Sequence, residues 1–173
     1  MALGKDTTRV YKVGAGHLLA KELPSGDFVN LGYIKESKIT ENVETEKVYD
    51  ERGKLVTNRE FTEEIMYTGK LMQASAEEIN FIRNSGGKEY QVRIACLRED
   101  TKWHLFEAAK AVVNRESLEI VLDGSARDIP IQFDFQYDDD QSQDWDHAEV
   151  DATSKPDLSD LLETDWPSDS WGA

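Results

Sequence analysis

The residues best suited to bind a ligand are oxygen-bearing side chains near the C-terminus. They recur between residues 138 and 149 at the spacing of the ligands in an EF-hand calcium loop: Asp138, Asp140, Ser142, Asp144, Asp146 and Glu149. The sixth position, however, is Gln143, where such a loop needs glycine for its sharp turn, and no pair of predicted helices flanks the segment. A charged linker is therefore the favoured interpretation, and calcium binding stays an open alternative.

The remaining reactive residues form no catalytic or cofactor-binding pattern. The three histidines lie far apart in sequence, without the spacing of metal ligands. Gly14-Ala15-Gly16 lacks the third glycine and the lysine of nucleotide-binding loops. Cys96 lies on the apolar face of a predicted alternating strand, which predicts a buried and unreactive thiol. We therefore expect no enzyme activity, no cofactor and no bound metal.

The composition excludes several further classes of protein. The chain has 173 residues, about the length of one domain, with 35 acidic against 20 basic residues and a formal net charge of −15. So acidic a chain repels nucleic-acid backbone. It has no apolar run of membrane-spanning length, so we expect no membrane association. A single cysteine excludes an internal disulfide.

The negative charge is concentrated at one end, which predicts two parts. Residues 138–173, the C-terminal arm, contain twelve acidic residues and one lysine, a net charge of −11, while residues 1–137 carry only −4. The arm also holds three of the four tryptophans, which acidic tails usually lack. We expect its large apolar residues to dock on this chain or on a neighbouring subunit. These candidates are Trp145, Leu158, Leu161, Leu162, Trp166 and Trp171.

The body is predicted to be mainly β, because apolar residues alternate with polar ones along most of it. The clearest strand runs over Asp128–Tyr137, with every odd residue from Ile129 on one face. Further predicted strands are Arg9–Val13 and His17–Ala20, split by Gly14 and Gly16, then Tyr90–Cys96 and Leu118–Leu122. One helix is predicted over Ser75–Asn84, where Ser75 and Glu78 fit a capping box. Trp103–Asn114 fits either a helix or a strand.

A long β-hairpin over residues 37–72 is the most unusual predicted element. Its strands flank a turn at Asp50–Lys54, and the second strand places Phe61, Ile65, Tyr67 and Leu71 on one face. The first strand is polar on nearly both faces, so burial in the core of its own subunit cannot hold it. Left alone it is an exposed edge, and we expect it to pair with another subunit.

The order of these pieces resembles that of the tail tube (major tail) proteins of long-tailed bacteriophages. Three segments over about residues 5–140 carry the resemblance. Leu31–Glu36 opens the hairpin, and Phe61–Met72 runs into the helix. Leu118–Leu122 is followed by a glycine turn, the strand Ile129–Phe133 and then Asp138.

The resemblance implies a β-sandwich or barrel with a long hairpin and one flanking helix, to which this chain adds its acidic arm. It implies hexameric rings that stack into a hollow tube, through which genome DNA passes at ejection. The expected partners are other copies, a tape measure, a terminator and, in a contractile tail, a sheath. The expected location is the virion, after synthesis in the cytoplasm of a bacterial host.

In such a tube the hairpin lines the bore and contributes to ring stacking. Carboxylates there repel phosphates and let DNA slide. Since successive residues of a strand point to opposite faces, only some of its acids can face the bore. The candidates are Glu41, Glu44, Glu46, Glu63 and Glu64.

Two alternatives stay open. One is a single-stranded-DNA-binding protein with an acidic, partner-recruiting tail. Against it, the body has no basic surplus, and its aromatic residues, Tyr33 and Phe28 among them, fall mostly on predicted core faces. The other is a different virion component: a tail terminator, a connector or a decoration protein.

Overall fold

The computed structural model describes residues 13–72, 75–98, 102–116, 128–151 and 166–171. Over these residues the fold is mainly β with one α-helix, as predicted. The elements are β1 (Val13–Glu22), β2 (Phe28–Tyr49), β3 (Leu55–Leu71), α1 (Ala76–Arg83), β4 (Tyr90–Arg98), β5 (Lys102–Val113), β6 (Ile129–Gln136), β7 (Trp145–Asp151) and a 3-10 helix at Pro167–Ser170. The strand predicted at Leu118–Leu122 and the candidates Leu158, Leu161 and Leu162 lie outside the described residues.

Six of the strands close into an antiparallel barrel. Their order is β4-β1-β2-β3-β6-β5, and β5 pairs again with β4. One edge of β5 is occupied by β4, so β6 and β7 share the other edge. The C-terminal part of β5 pairs with β6 and its N-terminal part with β7. Part of the acidic arm thus extends the sheet of the body, while the division of the chain at residues 137 and 138 stays a prediction.

The barrel interior is filled by the residues whose alternation predicted the strands. In β6 the alternate residues Ile129, Ile131, Phe133 and Phe135 are all buried. Tyr137 was predicted to continue this face but is 58% exposed, because β6 ends at Gln136. In β4 the alternate residues Tyr90, Val92, Ile94 and Cys96 are buried as predicted.

The segment with two interpretations, Trp103–Asn114, is a strand. Its alanines favour a helix locally, but β5 is paired along both edges, and tertiary pairing overrides that preference. Apolar residues occupy both of its faces. Ala108, Ala111 and Val113 belong to the barrel interior, whereas Trp103 and Leu105 belong to a second, outer cluster.

The helix forms as predicted and lies against the barrel. Both hydrogen bonds of the capping box between Ser75 and Glu78 are present. Ile82 is buried, and the ring of Phe81 lies 5.0 Å from that of Tyr90, centroid to centroid. Among the described residues, the structure contains no helix long and apolar enough to cross a membrane.

The prediction of two N-terminal strands split by glycines is wrong within the described residues. β1 runs without a break from Val13 through Gly16, with a register irregularity between them. A Cβ at Gly16 would collide with the carbonyl oxygen of Ala95 on β4. The glycine here permits close strand approach rather than a turn.

Candidate assembly surfaces

The hairpin extends beyond the barrel as a two-stranded ribbon, formed by residues 41–49 and 55–64. β1 pairs with β2 only up to Ile34, and β6 pairs with β3 only from Ile65 onward. Within the described chain, the ribbon strands therefore pair only with each other. At about 3.3 Å per residue, the nine residues of β2 give it a length of about 30 Å. Residues 41–49 are exposed on both faces, so no part of this subunit's core covers them.

One face of the ribbon is acidic. Residues paired across antiparallel strands share a face, and alternate residues of β2 share a face as well. Glu44 and Glu46 therefore lie on the face of Asn42, which pairs with Glu64 and donates a hydrogen bond to its carboxylate at 3.4 Å. Arg59, paired with Glu46, is the only base among the described side chains of this face. Three carboxylates against one guanidinium leave it a net charge of −2.

The other face carries exposed apolar side chains. Val43 is 47% exposed, Tyr49 57% and Leu55 53%. Lys47 and Glu60 also lie on this face and balance each other in charge, and Glu41 lies on it next to the barrel. Exposed apolar residues repeated along one face of a protruding ribbon are typical of a surface that another protein covers. Among its described side chains the acidic face also exposes an apolar residue, Val48 at 40%, so the two faces differ in net charge and in how many apolar side chains they expose.

The remaining two acidic candidates are placed differently. Glu41 pairs with the buried Ile65 and lines the cavity described below. Glu63 lies at a register shift, because Asn42 pairs with Glu64 while Val43 pairs with Thr62. The structure thus brings Glu44, Glu46 and Glu64 onto one face and sets Glu41 apart.

The same register shift corrects the predicted alternation of β3. The sequence pattern grouped Phe61 with Ile65, Tyr67 and Leu71. Phe61, however, pairs with Glu44 while Ile65 pairs with Glu41, and these two glutamates occupy opposite faces of β2. One extra residue in a β-bulge reverses the alternation, and simple periodicity cannot detect it.

At the base of the ribbon the barrel opens into a cavity of about 590 Å³, here called the mouth. Apolar side chains form much of its lining, among them Tyr67, Ile94, Phe106 and Trp145. Cys96 also lines it, and burial raises the pKa of this thiol to about 11. The thiol is therefore protonated and a poor nucleophile at neutral pH, as the sequence predicted.

A second surface lies on the outer face of β4 and β5, where a C-terminal segment, residues 166–171, docks. The carboxylate of Glu107, 1% exposed, is surrounded by donors. Gln91 and the Nε of Arg93 each donate to its Oε2 at 2.7 Å. The backbone N–H of Ser168 donates to Oε1 at 2.8 Å. The segment thus supplies one of the three hydrogen bonds that the structure places on this buried charge.

Aromatic rings complete the docking of the segment. The guanidinium carbon of Arg93 lies 4.1 Å from the ring centroid of Phe28 and 4.9 Å from that of Trp166. Arg93 also donates from Nη2 to the Ser168 hydroxyl at 3.2 Å. Trp166 itself is 3% exposed and packs in the outer cluster. Its fellow members are Leu19, Ala95, Trp103 and Leu105, with Phe28, Ala148 and Val150 packed against them.

The other arm tryptophans also contact the body. Trp145 packs against the interior core and lies 6.5 Å from Phe106, centroid to centroid. Trp171 is half-buried and lines a small pocket with Phe28 and Arg93. The sequence identifies these tryptophans as docking residues but does not reveal the surface on which they dock. The available signal was the presence of large apolar residues on both faces of β5, which is typical of a strand buried on both sides.

Two other predictions about side chains are corrected here. Tyr33, predicted to face the core, is 58% exposed, and its ring covers that of His17 at 4.6 Å. Phe28 packs in the outer cluster rather than in the barrel interior.

The candidate calcium ligands are distributed along a turn and a strand. Asp138 and Gln143 form a backbone bridge, and β7 begins at Trp145. Asp144 and Asp146 accept hydrogen bonds from the next residue's N–H, while Glu149 lies 3.3 Å from His104. Over the described parts of the chain, no three acidic, histidine or cysteine side chains form a group that could hold a metal.

No family model matches the chain, and no curated protein matches it. Among solved structures, it is similar to a chain in the cryo-EM structure of the anti-feeding prophage (AFP) baseplate, six-fold symmetrised. The two share 14% identity over 86% of this chain and 99% of the other, with a TM-score of 0.44.

Proposed function

We propose that this protein is a structural virion subunit of the tail-tube type. Six copies form a ring through their ribbons, rings stack into a tube, and genome DNA passes through the bore. The observation that carries the proposal is the ribbon, a strand pair about 30 Å long that is exposed on both faces and pairs with no other described strand. An isolated two-stranded ribbon is marginally stable in water, so it needs a covering partner.

The different chemistry of the two ribbon faces supports an orientation within the ring. The face with Val43, Tyr49 and Leu55 packs against neighbouring subunits, since association removes this apolar surface from water. The face with Glu44, Glu46 and Glu64 lines the bore. Its net negative charge repels phosphates, which suits a conduit that DNA must pass without sticking. This acidic face also argues against the single-stranded-DNA-binding alternative, which needs cations along the strand path.

The proposal is tested by negative-stain microscopy and light scattering on the purified chain. Rings or tubes are expected for the wild type and for Tyr137→Ser. The double substitution Tyr49→Ser/Leu55→Ser should abolish assembly while leaving the fold intact. Tyr137 is a matched control because it is 58% exposed, against 57% for Tyr49, but lies outside the ribbon. Monomers of the wild type at every concentration and salt tried would contradict the proposal.

The acidic bore has its own test. Glu44→Lys/Glu46→Lys should make assembled particles retain DNA on a filter at low salt, which the wild type should not do. Asp139→Lys/Asp140→Lys is the control, since both residues are exposed and the change in charge is equal. Equal DNA retention by the two variants would show that the ribbon acids have no special position.

A further inference from the structure

The contacts of the C-terminal segment are those of a docked peptide. The segment adds no strand to the sheet; it places one indole, one backbone N–H and one hydroxyl on the outer face of the barrel. Its own conformation is fixed locally, because the backbone N–H of Trp166 donates to the Asp169 carboxylate at 2.8 Å. Pro167 begins the 3-10 helix that follows. All of these contacts come from groups of residues 166 and 168 themselves, so a separate chain that carries the segment could make them too.

The receptor for this peptide requires an occupant. Phe28, Arg93 and Glu107 form it, and we call it the receptor site. Without the segment, Glu107 Oε1 loses the Ser168 N–H, and Arg93 keeps only one of its two aromatic neighbours. Undocking also uncovers the apolar outer cluster in which Trp166 packs, and exposure of that surface to water is costly. The vacant site therefore favours any chain that presents the same segment.

The tether is long enough for the segment to come from another subunit. Residues 152–165 separate β7 from Trp166. Fully extended, such a stretch spans about 50 Å, whereas a domain of this length has a radius of gyration of about 16 Å. The segment can therefore reach the receptor site of an adjacent copy. Exchange of an identical element between copies creates no new kind of contact and costs little free energy.

We propose that the receptor site binds the segment 166–171 of a second copy, so that C-terminal segments link subunits in the assembly. This goes beyond the proposed ring contacts, because it involves the outer face of β4 and β5 and not the ribbon. In an assembly the local concentration of segments from other copies is high, which lets exchange compete with binding within one chain.

Capture between two full-length variants tests the proposal. A tagged Trp166→Ala chain has a vacant receptor and a defective segment. The untagged donor, Arg93→Met/Glu107→Leu, has an intact segment but no receptor of its own. The control donor carries Trp166→Ala as well. The tagged chain should capture at least about ten-fold more donor than control, as expected when a buried tryptophan dominates a contact.

The ribbon is unchanged in all three chains, so ribbon contacts contribute equally to both captures. The capture result on segment exchange is therefore valid whether or not the proposed rings form. Equal capture of donor and control overturns the proposal. If the donor does not fold, a labelled peptide of residues 160–173 replaces it, and fluorescence anisotropy compares it with its Trp166→Ala version on the tagged chain. Equal binding of the two peptides then overturns the proposal.

Discussion

The ribbon and the β4–β5 wall are both antiparallel strand pairs, but their faces have opposite environments. Ile94 and Ala108 face the barrel interior, while Ala95 and Leu105 face the outer cluster, so the wall is buried on both sides. The ribbon is exposed on both sides. Since burial of apolar surface supplies most of the stability of a fold, substitutions in the wall should affect folding. Substitutions in the ribbon should affect association alone.

The largest expected effect is on the buried ion pair of the wall. Glu107→Leu leaves Arg93, whose side chain is only 12% exposed, without its carboxylate, and removal of one partner of a buried pair costs about 3–5 kcal/mol. The double substitution Arg93→Met/Glu107→Leu should recover much of this loss, because no unpaired charge remains. Urea unfolding followed by circular dichroism measures both. Equal destabilisation by the single and double variants would contradict the role of the charge.

A smaller effect is expected from the docked segment. Trp166→Ala should lower the free energy of unfolding by about 2 kcal/mol, less than the 3–5 kcal/mol typical of a buried tryptophan. The loss should be limited, because we expect the segment to undock while the barrel stays folded. Trp145→Ala is a useful comparison, since Trp145 packs on the interior core from within a strand. If Trp166→Ala lowers the free energy of unfolding as much as Trp145→Ala does, the segment unfolds together with the barrel, and this prediction is wrong.

The smallest expected effect depends on pH and involves β1, the strand that pairs with β4 of the wall. His17 is 9% exposed, and burial lowers the pKa of its imidazole below 6.5. The neutral form is therefore favoured in the folded state. Its contribution to stability is complete above about pH 6.5 and is lost as the pH falls through the lowered pKa. His17→Gln should remove this part of the pH dependence between pH 7.5 and pH 5 in urea unfolding. If the pH profile of stability is the same for His17→Gln as for the wild type, this role of His17 is contradicted.

The sequence predicts where most helices and strands lie better than it predicts which other elements they pair with or pack against. The strand at Ile129, the capped helix at Ser75 and the hairpin around Asp50 are local patterns, and the structure confirms them. The strand at Lys102 could not be assigned, because its alanines favour a helix until β4 and β7 pair with it.

The receptor site could not be predicted because it is not a local pattern. Phe28, Arg93 and Glu107 come from three different strands and meet only through the register of the sheet. The bulge at Glu63 escapes detection for a similar reason, since only pairing with β2 reveals the extra residue. The ribbon acids were predicted as a set, but their distribution between the two faces depends on that same register.

Backbone hydrogen exchange tests most directly whether the ribbon serves assembly rather than folding. Amides of residues 41–49 are expected to exchange much faster than those of β4 and β5 in a dilute, monomeric sample. In the assembled state the ribbon amides should become protected, while those of the wall change little. Ribbon amides in the monomer that are as protected as those of the wall, or that stay unprotected after assembly, would contradict the account.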